Sequence, residues 1–86
     1  MTGNFSNYFV EAFETLQDAI LGKKEVDIEY EKWNGEKSFR KISPKRFTYV
    51  ERYKTKYSRL CVKAYCHLRG EDRVFAVVRI KDAQIV

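Results

Sequence analysis

LCVKAYCHLRGEDRVFAVVRI, residues 60–80, is the stretch whose reading decides the fold. Successive side chains of a β-strand point to opposite faces, so a strand with one buried side repeats apolar residues at every second position. Leu60, Val62, Ala64, Cys66 and Leu68 keep that period, and after Gly70-Glu71-Asp72 the even positions Val74, Ala76, Val78 and Ile80 keep it again. A glycine-containing loop of three residues is a common hairpin connection. Placed at 70–72, it sets Arg69 opposite Arg73, Leu68 opposite Val74, Cys66 opposite Ala76, Ala64 opposite Val78 and Val62 opposite Ile80. On the other side His67 then meets Phe75, Tyr65 meets Val77 and Lys63 meets Arg79. A slip of one residue would ruin the apolar match.

This register predicts one polar face carrying Lys63, Tyr65, His67, Arg69, Arg73, Phe75 and Arg79. Like charges set directly across strands oppose one another by about a few tenths of a kcal/mol, and an anion between Arg69 and Arg73 would reverse that. The planar guanidinium can bind phosphate or carboxylate through two parallel hydrogen bonds. The plain alternative is a solvated strand face whose long side chains splay into water.

Charge is distributed unevenly along the chain. Residues 1–36 hold three Lys and eight acidic residues, 3 − 8 = −5; residues 37–81 hold fourteen Lys plus Arg and three acids, 14 − 3 = +11; Asp82 completes the net +5. Tyr49, Tyr53, Tyr57, Tyr65 and Phe75 are interleaved with the basic half. Cations with aromatics among them are the footprint expected for nucleic acid or another polyanion.

With 86 residues, one domain over residues 1–86 is expected, large enough for a single modest core. The 44% hydrophobic content and lone Pro favour a folded unit. No apolar run reaches the roughly 18 residues of a membrane span, and Met1-Thr2-Gly3-Asn4 lacks a signal-peptide start, so a cytoplasmic protein without membrane contact is expected. Cys61 and Cys66 fall on opposite faces of one strand, which suits two reduced thiols, with Cys66 in the core, better than a disulfide or metal pair.

Ahead of this segment, Asn4 or Ser6 can cap a helix over about 6–21. Phe9, Ala12, Phe13, Leu16 and Ile20 form its apolar stripe, and Gly22 supplies the stop. A strand over about 25–33 follows, with Val26, Ile28 and Tyr30 alternating against Asp27, Glu29 and Glu31. Asn34-Gly35 reads as a two-residue type I′ turn, which puts Arg40 opposite Glu29 on a strand running from Glu36 to Ser43 and ending at Pro44. A further strand is expected over about 46–52, then a polar loop from Tyr53 to Ser58, and a last short strand from Ala83 to Val86. One helix and five or six short antiparallel strands imply a mainly β, α+β fold. The expected form is a strongly bent, Sm-like β-barrel with the helix over one open end, because curling hides sheet edges.

The helix end LQDAILGKKEVDIEY (16–30), FRKISPKRF (39–47), AYCHLRGEDRVFAVVRI (64–80) and the closing DAQIV together resemble the WYL domain of bacterial regulators and defence proteins. The resemblance covers about 70 residues in the right order. It implies a helix plus Sm-like barrel and a ligand-sensing module in transcription regulation, including CRISPR-associated regulation, with nucleic acids and nucleotides as the leading ligand class. Arg69, Arg73 and Arg79 match its basic pocket pattern. The tripeptide that names the family falls at Leu60-Cys61-Val62, so the Trp and Tyr of that motif are replaced. The helix-turn-helix usual ahead of this domain does not occur in these residues, which leads to a chain acting alone, as an oligomer, or as a piece of a longer protein.

No Cys-His-Asp arrangement, phosphate-cradling glycine loop or metal-ligand cluster is evident, so neither enzymatic activity nor a cofactor is expected. His67, near several arginines, suits stacking or hydrogen bonding more than acid–base work. The leading expectation is a sensor that binds single-stranded nucleic acid or a nucleotide on the Lys63 to Arg79 face. The alternative is a protein-interaction or homo-oligomer module in which that face docks an acidic partner or the Asp27, Glu29 and Glu31 face of another copy.

Overall fold

The computed structural model describes residues 6–32, 34–50 and 60–86. The expected Asn4 cap, the end of the first strand at Trp33 and the polar loop from Tyr53 to Ser58 lie outside them.

Helix α1 spans Ser6–Gly22 and carries the apolar stripe. Ala12, Leu16 and Ala19 are buried, while Phe9, Phe13 and Ile20 pack half-buried against the same core. The helix ends one residue later than the glycine suggests. Lys23 takes the left-handed conformation at φ 54°, with Lys24 N donating to Ala19 O at 2.8 Å and Lys23 N to Ile20 O at 3.3 Å. These paired closing bonds satisfy carbonyls left open at a helix C-terminus.

Five strands follow: β1 Val26–Glu31, β2 Lys37–Tyr49, β3 Leu60–Cys66, β4 Glu71–Ala76 and β5 Ile80–Ile85. They form one antiparallel sheet in the order β4-β3-β2-β1-β5. β2 runs through Pro44 instead of ending there. Its first half pairs with β1 up to Ile42 opposite Val26, and its second half pairs with β3 from Ile42 opposite Cys66. Pro44, which has no N–H to donate, falls beyond the last β1 pair and at a register shift that leaves Lys45 unpaired, so no central ladder is broken. One long strand thus replaces the two expected on either side of Pro44. Among the described residues no pairing joins β4 to β5, and the sheet is not closed into the expected barrel.

Both hairpins have a register other than the expected one. At the first, Gly35 N donates to Lys32 O at 2.9 Å, Lys32 N to Glu36 O at 2.7 Å, and Gly35 alone of the turn's described residues has positive φ, 89°. The connection is a three-residue loop closed by a glycine bulge, not a type I′ pair. Arg40 therefore faces Ile28, and Glu29 faces Phe39. One residue of difference moved Arg40 to the core side and left Phe39 73% exposed on the outer side.

At the second hairpin β3 ends at Cys66, and His67–Gly70 make the turn, with Gly70 at φ 70° and its N donating to Cys66 O at 2.8 Å. Cys66 pairs with Glu71, Ala64 with Arg73, Val62 with Phe75 and Cys61 with Ala76. The expected partners of Arg69, His67, Tyr65 and Lys63 are consequently wrong. Phe75 points inward and is buried, Val74 points outward, and Leu68 is exposed at the turn. The chain then breaks into a 3-10 turn over Val77–Arg79 and crosses to the far edge, where Ile80 pairs with Tyr30 instead of Val62. β5 begins three residues before the expected last strand.

The core joins α1 to the inner face of the sheet through Leu16, Ala19, Val26, Ile28, Ile42, Val62, Ala64, Cys66, Phe75, Val77 and Ile80. Phe13 stacks on Phe47 with centroids 4.5 Å apart, and Tyr30 meets Phe75 edge-on at 5.3 Å. Cys61 and Cys66 are both buried and not joined in a disulfide; their positions on opposite faces of β3 imply burial for Cys66 and not for Cys61.

Candidate functional site

The seven residues expected on one face are divided by the observed register. Lys63 and Tyr65 lie on the outer face of β3, with His67 directly after them. Arg69 is exposed in the turn. Arg73 lies opposite Ala64 on the other face, with its Nη1 3.2 Å from Glu71 Oε2. Phe75, only 5% exposed, offers no stacking surface. Arg79 donates to the Glu31 backbone oxygen at 3.5 Å. Glu31 is five residues along β1 from Val26, the residue in the row of Ile42, Cys66 and Glu71, so Arg79 sits roughly 16 Å from that end of the sheet.

Lys45 and Arg46 take the vacated positions on the outer face. Arg46 pairs across strands with Lys63, and Ser43 with Tyr65. The bulge frees Lys45 to reach Asp72, which faces Tyr65 from β4, with Nζ 2.9 Å from Oδ2. Lys41 lies on the same side of β2, one pair beyond Ser43, and its carbonyl accepts the His67 N–H at 3.0 Å. The Asp72 carboxyl is held below the usual carboxylate range, chiefly by the Lys45 hydrogen bond, with the charges of Lys45, Lys63 and Arg46 adding to it. One carboxylate therefore serves three cations. Strand alternation does not point to these cations, because a proline ordinarily ends a strand; the Lys45-Arg46 pair directly after Pro44 is the signal that the sequence carries.

Aromatic groups flank this cluster. Tyr65 and His67 meet edge-on with centroids 5.1 Å apart. Ser43 Oγ shares a hydrogen bond of 2.9 Å with His67 Nε2, and Glu25 Oε2 is 3.5 Å from the same nitrogen. These contacts orient the imidazole from two elements. The resulting surface combines long cationic side chains with one exposed phenol and one imidazole, groups that can bind phosphate and stack on a base.

The acidic surface also differs from expectation. Glu29 pairs with Lys37 at 3.3 Å and Glu31 with Lys81 at 3.7 Å, so the β1 carboxylates are largely answered within the chain. A more acidic groove of about 350 Å³ lies between α1 and β5, where Glu11, Glu14, Asp18 and Asp82 face Lys81. Among the described residues no group of three or more His, Cys, Asp or Glu could hold a metal ion, and no helix is long and apolar enough to cross a membrane.

None of the curated proteins matches the chain. Among solved structures it is similar to Proteasome accessory factor B/C (PafBC) of Arthrobacter aurescens, with a TM-score of 0.76 and 20% identity over 98% of this chain. The chain spans only 12% of that protein's length, and at this identity the likeness concerns the fold alone. A family model described as the WYL domain matches residues 11–85, and the chain belongs to the WYL domain family.

Proposed function

We propose that this chain is a non-catalytic, cytoplasmic sensor module of the WYL family that binds single-stranded nucleic acid or a nucleotide on the outer face of β2 and β3. The observation that carries the reading is the gathering of Lys45, Arg46 and Lys63 around a single carboxylate, Asp72, beside the Tyr65–His67 pair. Phosphates would meet the cations, with Lys41 and Arg69 extending the track, and a base would stack on Tyr65 or His67 for roughly 1–3 kcal/mol. Arg73 and Arg79 have no part in this face. The regulatory role is carried over from the family resemblance; PafBC is named as an accessory factor, which supports a module working within a larger system.

Fluorescence anisotropy with labelled single-stranded DNA and RNA tests the reading. Each phosphate contact on a single strand contributes about 0.7 to the slope of log K against log salt. Arg46→Ala combined with Lys63→Ala is expected to reduce that slope by about 1.4, while Arg73→Ala leaves it unchanged. Binding whose slope ignores the double variant would reject this face.

A second reading, head-to-tail self-assembly, is favoured by the acidic α1–β5 groove, whose charge is opposite to that of the β2–β3 face. Its signature would be a molecular mass that rises with protein concentration and falls with salt.

A further inference from the structure

We propose that Ser38 and Arg40 form a second binding site, on the inner side of the sheet, for a small oxyanion such as a phosphate or carboxylate group. The two side chains are neighbours on one face of β2, opposite Tyr30 and Ile28 respectively. That face is the core side, because Val26, Ile28 and Ile42 on it are buried. Arg40 Nη1 reaches Cys66 Sγ at 3.6 Å, yet its Nε is enclosed and meets no acceptor, and the enclosed Ser38 Oγ meets no hydrogen-bond partner either.

Two adjacent enclosed donors without acceptors are uncommon in native proteins, where buried polar groups are nearly always satisfied. Arg40 and Ser38 are half-buried residues, so only these atoms are enclosed, and among the described residues no carboxylate lies within ion-pair distance of Arg40. Nε and an Nη on one edge of the guanidinium present parallel donors that match two oxygens of a phosphate or carboxylate. Ser38, two residues along the same strand face, adds a hydroxyl donor. Together they supply charge, a directional fork and a third hydrogen bond.

Cys66 is the internal substitute for that anion. Burial alone would push its thiol up, but N–H groups of Arg69 and Leu68 and the Arg40 guanidinium outweigh burial and hold it below the ordinary value. An oxyanion seated on Arg40 competes with the sulfur for the same cation, so occupancy of the site and ionisation of Cys66 oppose each other. This site is separate from the β2–β3 outer face, since adjacent positions of β2 point to opposite sides.

The test is thermal unfolding of the full chain titrated with inorganic phosphate and, separately, acetate, each at ionic strength matched with chloride. A saturable rise in Tm with either anion is expected, and the anion that produces it identifies the oxyanion class. Arg40→Gln should weaken the half-saturation roughly tenfold or more, and Ser38→Ala roughly threefold to tenfold, while Arg73→Ala, whose guanidinium is met by Glu71, leaves it unchanged. If Arg40→Gln does not fold, Ser38→Ala decides. The absence of a saturable rise with both anions, or an identical half-saturation in Ser38→Ala, would overturn the proposal. Survival of the phosphate response when strand binding is absent would reject the outer-face reading alone.

Discussion

Phe75 and its neighbour Val74 distinguish the observed hairpin from the alternative register by one pair of substitutions. Phe75 is 5% exposed, lies opposite Val62 and meets the Tyr30 ring edge-on at 5.3 Å, whereas Val74 is 39% exposed and lies opposite Lys63 on the outer face. Truncating a buried Phe to Ala costs about 3–5 kcal/mol through lost transfer energy and the cavity left behind. Val74→Ala on the surface should cost about 0.5 kcal/mol or less. A domain of this length is expected to be stable by roughly 4–13 kcal/mol, so Phe75→Ala removes a large share of the total. Urea unfolding followed by circular dichroism measures both: at roughly 1–2 kcal/mol per M, the midpoint should fall by about 1.5–5 M for Phe75→Ala and by less than about 0.5 M for Val74→Ala. Equal midpoints, or a larger loss for Val74→Ala, would refute the register and return Phe75 to the surface.

Two further outcomes follow from local geometry. Lys23 holds a left-handed conformation that glycine adopts freely, so Lys23→Gly should stabilise the chain by up to about 1 kcal/mol, read as a higher urea midpoint; a lower one would contradict the helix terminus described. The Asp72 carboxyl has a lower pKa folded than unfolded, because Lys45 and the neighbouring cations stabilise its charge. Its contribution is therefore present above the ordinary carboxylate pKa of about 4 and is lost as pH falls through the lower folded value. Asp72→Asn should flatten the acid side of a Tm-against-pH curve and tighten single-strand binding by releasing Lys45. Weaker binding in that variant would show that Asp72 is not a competitor for the cations.

The candidate site was legible in part. Lys63 and Tyr65 follow the alternation of β3 and lie where that alternation puts them, on the side away from Val62, Ala64 and Cys66, and His67, in the turn that follows, meets Tyr65 edge-on. Arg73 and Phe75 were displaced because the turn uses His67–Gly70 instead of 70–72. VFAVV is apolar at both parities, so its alternation cannot select a face. Lys45 and Arg46 are hidden because a proline ordinarily ends a strand. Here it does not, since the pairing with β1 has already ended beside it. Arg40 shows how sensitive these assignments are: Asn34-Gly35 is compatible with a two-residue or a three-residue loop, and the choice moves a cation from the outer face to the inner one.

From sequence alone came the helix and its buried stripe, the alternation of β1 and β3, the position of the first turn, the uneven charge and the family resemblance. Each depends on residues near one another in the chain, where helical or strand periodicity and turn chemistry act directly. Tertiary structure alone decided which residues pair across each turn, that β2 continues through Pro44, that the chain breaks at Val77–Arg79, and that β5 joins β1 at the far edge. Those choices are made by packing against α1 and by burying Phe75, Val77 and Ile80 together, interactions between segments that no local pattern contains.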